Sequence, residues 1–227
     1  MYRSKNRAIL TASFLQLKPY LLGVAALVGV SIITNLIISL NVDRNTHLSL
    51  ANMLSLFLLF AASVLPSAFF RRMLNLGASR GEYYRGLVTV YVLCSAGFAL
   101  LNVLWFAVEV GIIRKVEDTI NILEVFHWNR FGWAGMFLYQ FGAYLLLLSL
   151  LNLLFSGIWH WSGWLLWAVL IAAIPLGTAL DVFRPKVAGG LGALLFNDSL
   201  MAGLGWTLLG SLLLLAAGWL FTRRRTI

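Results

Sequence analysis

Uninterrupted runs of about 20 apolar residues recur along this chain, each long enough to cross a hydrocarbon core roughly 30 Å thick. A backbone inside lipid must satisfy its own polar groups, which makes these runs helices. Composition agrees: 61% of residues are hydrophobic, 11% are charged and the mean hydropathy is +0.88, far from the balance of a soluble domain. The expected fold is all-α, one polytopic membrane domain over 1–227, with spans at about 20–40, 48–70, 87–113, 134–155, 163–180 and 201–221.

Short polar segments separate the runs and set their direction. Met1 to Lys18 carries Arg3, Lys5, Arg7 and Lys18 around Ile9, Leu10, Phe14 and Leu17, an amphipathic pattern suited to a helix lying in the membrane interface, with Pro19 opening the first span. That first apolar run is longer than the core of a signal peptide and has no small-x-small cleavage site, so it is expected to be retained. With both termini on one side, that side holds eleven Lys and Arg residues against six on the other, which predicts cytoplasmic termini in a cell membrane. The net charge of +9 is thus explained by topology and gives no reason to invoke nucleic acid.

The polar stretch from Phe70 to Gly86, FRRMLNLGASRGEYYRG, falls on the cytoplasmic side and is the place where such a chain would meet a soluble partner. Arg71 to Leu76 has helical composition, Gly77 can break the chain, and Ser79-x-x-Glu82 is a capping box that predicts a helix restarting at Arg80. Pro66, shortly before it, predicts a kink near the end of the second span. On the other side, Arg114 to Trp133 has an amphipathic spacing that predicts a short surface helix. Asp181 to Leu200 is too short and glycine-rich to cross, and reads as a re-entrant hairpin or surface helices.

Chemical signatures are sparse. The chain has no His-Glu-x-x-His, no Gly-x-Ser-x-Gly elbow and no Gly-x-x-x-x-Gly-Lys-Ser/Thr phosphate loop, so no catalytic residue, metal ligand or nucleotide cofactor is assigned to it. His127 and His160 are predicted on opposite faces of the membrane, and the single cysteine, Cys94, reads as a packing residue. Glu109 and Asp181 sit near outer helix ends, Glu109 as either a solvated end or a buried pairing group. Asn35, Asn52, Asn102 and Gln140 are candidates for the lining of a path, and these together with Asn152 serve equally as interhelical hydrogen-bond partners. Ala25 with Gly29, Ala168 with Ala172, and Ala173 with Gly177 have the four-residue spacing of close helix contacts.

Leu76-Gly77-Ala78-Ser79-Arg80-Gly81-Glu82-Tyr83-Tyr84, in this place between the second and third spans, resembles the Leu-Gly-x-Ser-Arg-x-Glu-aromatic pattern of the membrane subunits of type-two bacterial ABC exporters. The resemblance implies a six-span permease that forms a dimer with a second copy or a sister permease, in contact with membrane lipid, and docks a separate ABC ATPase subunit carrying ATP and Mg. It implies that the N-terminal segment is a connecting helix, that Arg71–Leu76 is a coupling helix, and that Val187–Phe196 forms outer helices. Arg71, Arg72, Met73, Leu74, Arg80, Glu82 and Tyr83 are then the expected docking residues. An antimicrobial peptide or another amphiphile is the expected cargo. An ATP-independent secondary transporter, and a membrane-embedded enzyme or scaffold, are the alternatives that the sequence leaves open.

Overall fold

The computed structural model describes residues 2–39, 46–113, 118–179 and 183–225. Apart from one pair of short strands, the regular structure in these residues is helical. Five stretches are long and apolar enough to cross a membrane: Ala8–Ile33, Leu50–Asn75, Arg80–Gly111, Trp128–Gly157 and Leu200–Arg224. Trp161–Ala173 is a shorter apolar helix. The chain is a multi-pass membrane protein of the all-α class.

The first helix departs from expectation. Rather than an interfacial helix followed by a new one at Pro19, α1 runs unbroken over Tyr2–Ser39 with Pro19 inside it. Proline removes one hydrogen bond and crowds the preceding turn. Packing holds the helix together regardless, because the buried residues Ile9, Ser13 and Leu17 before Pro19 share a face with Val24 beyond it, against the body of the bundle.

The next column comprises α2 (Leu50–Ser55), α3 (Phe57–Val64), a π-helical turn at Leu65–Phe69 and α4 (Phe70–Asn75). The kink signal at Pro66 corresponds to a π turn, beyond which α4 carries Arg71 to Asn75 as the last helix of the same column. Arg80–Gly111 is α5, followed by the short α6 (Ile122–Val125), a 3₁₀ turn at Trp128–Phe131 and α7 (Gly132–Gly157). The expected surface helix is thus reduced to two short turns, and residues 114–117 of that segment lie outside the described residues. Then come α8 (Trp161–Ala179), α9 (Arg184–Leu195) and α10 (Leu200–Arg224). Among the described residues between α8 and α10, the expected surface element is α9, with no buried residue. Two strands, β1 (Thr46–Leu48) and β2 (Asp118–Ile120), pair in parallel with Thr46 opposite Asp118 and Leu48 opposite Ile120.

Helix α7 is the centre of the bundle, packed along α10 and against α5 and α3. Its closest neighbour, α10, offers a stripe of mainly small side chains: Gly203, Thr207, Ser211, Leu215, Gly218 and Thr222 are its buried residues. Small residues let backbones approach in lipid, where packing rather than water drives association. A Cβ on Gly142 would lie 2.5 Å from Thr207 Oγ1, and one on Gly218 would lie 2.5 Å from Asn152 Nδ2. The expected pairs behave differently: Gly29 has no neighbour within 4 Å of an added Cβ, whereas Gly177 approaches Val187 of α9.

Candidate functional site

The turn between α4 and α5 is built by two local motifs in succession. At the end of α4, Gly77 adopts a left-handed conformation with φ of 86°. Its N–H donates to Leu74 O (2.9 Å) while Ala78 N–H donates to Met73 O (3.1 Å), the paired bonds of a Schellman cap. One residue on, Glu82 N–H donates to Ser79 Oγ (3.2 Å) and Ser79 N–H donates to the Glu82 carboxylate (2.8 Å), completing the capping box. Four residues, Leu76 to Ser79, therefore turn the chain from α4 into α5, with caps on both helix ends. Leu76, at the tip, is 73% exposed. Beside it, Ala8, Ile9 and Ala12 of α1 face Met73, Leu76, Gly77, Ala78 and Glu82 across a largely apolar notch of about 250 Å³.

This corner is fixed from behind. Widening a helix to a π turn disturbs its regular carbonyl pairing, and here three successive carbonyls are taken up by side chains from elsewhere. Tyr83 Oη donates to Leu65 O (2.6 Å), while Arg225 Nη1 and Nη2 donate to Pro66 O (2.6 Å) and Ser67 O (3.2 Å). Arg225 is only 3% exposed, and its guanidinium lies 4.4 Å from the Phe70 ring centroid and 4.7 Å from that of Trp159. Arg71 approaches the same Trp159 ring at 5.2 Å. Burial pulls the Arg225 pKa down to about 10, so the group stays cationic at neutral pH. Two further bonds bind α10 to the start of α5: Tyr84 Oη donates to Leu215 O, and Arg80 Nη1 to Arg223 O.

The expected docking residues consequently divide into two sets. Arg71 and Arg72 are exposed, and Leu74, Arg80 and Glu82 are partly exposed. Arg72 donates to Gln16 Oε1 on α1. Met73 and Tyr83 are buried within the chain, where they seat the corner rather than present it. Sequence reasoning missed Arg225 and Trp159. The terminal arginines read as orientation signals, and only the proline at position 66 hinted at unusual backbone nearby.

At the opposite end of the bundle, beside the strands, three of the four expected path residues, Asn52, Asn102 and Gln140, meet in a polar cluster. Asn121, fully buried, places its Nδ2 2.9 Å from Glu109 Oε2, 3.0 Å from Asn102 Oδ1 and 3.2 Å from Ser49 Oγ. Two amide hydrogens are thus shared among three acceptors. Asn52 Oδ1 accepts from Ile122 N–H and, at 3.5 Å, from Asn102, while its amide donates to Ile120 O. Gln140 donates to Tyr144 Oη (2.8 Å), which also bonds with Ser55 and Asn102. The side-chain oxygen of Gln140 has no partner among the described residues. Glu109 is 1% exposed, so of its two readings the solvated helix end is excluded. Asn35 lies in α1, and its side chain falls outside the described set.

The outer wall of this end is aromatic. Trp128 Nε1 donates to Leu195 O (2.8 Å) and Tyr139 Oη to Leu194 O (3.0 Å), attaching the end of α9 to α7 and its leading turn. His127 and His160 are at opposite ends of α7, and no group of three metal-ligating side chains occurs among the described residues.

Fold and site together define a multi-pass helical membrane protein with an exposed helix–turn–helix corner at one end and a buried asparagine–glutamate cluster at the other. No family model, curated protein or solved structure matches the chain.

Proposed function

We propose that the chain is the permease subunit of an ATP-driven ABC exporter, with α8 as a sixth span, both termini and the α4–α5 corner cytoplasmic, and a second copy or sister permease completing the path. One observation carries this reading. The corner is a rigid, doubly capped turn that exposes Leu76 beside Arg71 and Arg72 while being bonded to two spanning columns and the end of a third. An element that receives a nucleotide-driven push needs an exposed contact face and a stiff connection to the spans. Sequence and geometry supply both. In this reading α4 acts as the coupling helix, Arg71, Arg72, Leu74, Arg80 and Glu82 contact the ATPase, and ATP and Mg belong to that partner. The cargo is an amphiphile such as an antimicrobial peptide.

Co-expression with genomic neighbours and affinity purification in detergent tests this. An ATPase chain copurifies with the wild type and is lost with Leu76→Glu or Arg72→Glu, both of which elute as folded, monodisperse protein. Failure of any ATPase to copurify with the wild type overturns the reading. A secondary transporter is the second reading, favoured by the buried carboxylate of Glu109, because ionisable groups inside spanning helices commonly mark ion pathways. It requires uptake or efflux that follows a proton or sodium gradient without ATP and disappears in Glu109→Gln.

A further inference from the structure

We infer that Arg225 is a positioning residue that clamps the π turn of the second column, so that the corner moves together with α10 as well as with the two columns it joins. This mechanical role rests on the exporter reading; the clamp itself rests on geometry alone. The π turn lies immediately before the corner, and two of its carbonyls, Pro66 and Ser67, are bonded by the one guanidinium. A planar fork with several donors can hold two carbonyls at once, which a lysine ammonium of similar reach does far less well. The same side chain contacts Phe70, the first residue of α4, and Trp159, in the turn between α7 and α8. Tyr83 takes the neighbouring carbonyl from α5. The inner ends of four columns thus meet around a single cation.

The cation is deeply seated and its backbone is fixed nearby. Arg80 is bonded to Arg223 O, Tyr84 to Leu215 O, and the Tyr84 and Trp219 rings lie 5.2 Å apart. Arg223 and Arg224, by contrast, are exposed and suit the orienting role that the sequence assigns to all three. Arg225 differs from them by being buried, multiply bonded and aimed back at the corner. With the clamp closed, a push on the corner reaches α10 directly. With it open, α4 pivots about the π turn and the push is absorbed there.

Hydrogen exchange on the full chain in nanodiscs tests the clamp. Arg225→Gln is expected to accelerate exchange of 65–76 about tenfold while 140–154 in α7 is unchanged, with Arg225→Lys intermediate. Unchanged exchange at 65–76 in Arg225→Gln, or equal acceleration throughout the chain, overturns it. A second measurement separates the clamp from the function built on it: spin labels at Leu76→Cys and Leu212→Cys, with the copurified ATPase present. The clamp predicts that ATP shifts their distance in Arg225→Gln, where the corner moves alone, and leaves it nearly constant in the otherwise unsubstituted chain. The reverse pattern contradicts mechanical coupling through Arg225. Absence of any ATPase sinks the exporter reading, and the exchange result still decides the clamp.

Discussion

The two ends of the bundle both bury polar side chains, but with opposite chemistry and opposite consequences. At the corner end a permanent cation, Arg225, meets backbone carbonyls and aromatic faces, and each of these contacts joins elements distant in sequence. At the strand end a carboxylate, Glu109, accepts from the neutral amide of Asn121, and that amide is shared with the Asn102 carbonyl and the Ser49 hydroxyl, so acceptors outnumber its hydrogens. The corner end fastens distant elements together and leaves an exposed tip. The strand end closes the bundle with a polar plug whose hydrogen bonds have alternatives. Under the proposed exporter function this asymmetry would place the stiff, force-receiving end at the corner and the end able to rearrange at the strands.

The largest effect expected is at the strand end. Asn121→Leu removes the amide that donates to Glu109 and leaves a buried carboxylate without it, a change that costs about 3 kcal/mol. Chemical unfolding in detergent measures this, and Glu109→Gln in the same background should recover part of the loss. A cost below about 1 kcal/mol, in the range of a neutral hydrogen bond, shows that water already reaches the cluster.

Next in size is the seam that links the ends. Gly142→Ala places a methyl against Thr207 on α10 and should cost about 1–3 kcal/mol through overpacking. Gly97→Ala, with nothing within 4 Å of the added carbon, should stay within about 0.5 kcal/mol. Equal effects of the two would mean that α7 and α10 do not pack as described. Smaller still, Ser79→Ala removes half of the capping box and should cost about 1 kcal/mol, observed as faster exchange in the first turn of α5 alone. The smallest effect is predicted for pH. Arg225, with a pKa drawn down only to about 10, remains charged up to about pH 9, so exchange at the π turn, corrected for intrinsic rates, should be flat from about pH 6 to 9.

What could be read in advance follows the range of the interactions. The break at Gly77 and the restart at Arg80 depend on neighbours within five residues, and the sequence carries them openly. Apolar run length likewise foretells helices that cross. The continuity of α1 through Pro19 was hidden, because propensity opposes it and distant packing decides it. The α10 stripe was hidden too, since alternation of Gly, Thr, Ser and Leu every three or four residues identifies a close seam only once α7 lies against it. Asn52, Asn102 and Gln140 could be picked out as polar groups in apolar surroundings, yet their grouping with Glu109 depends on residues 49 and 121 in two separate loops. Arg225 was least visible of all. Three adjacent arginines look alike in sequence, and only the fold turns one of them inward.

Under the proposed exporter function, the corner end, and not the strand end, is the one that would meet an ATPase. The most direct test of this is cross-linking in membranes that contain the co-expressed neighbours, with a photoreactive residue in place of Leu76 at the corner tip or of Phe196 beside α9, both exposed. The account predicts that the probe at 76 captures the ATPase chain, more strongly as ATP is depleted or trapped, and that the probe at 196 never does. Capture of the ATPase from position 196, or of no ATPase from position 76, would contradict it.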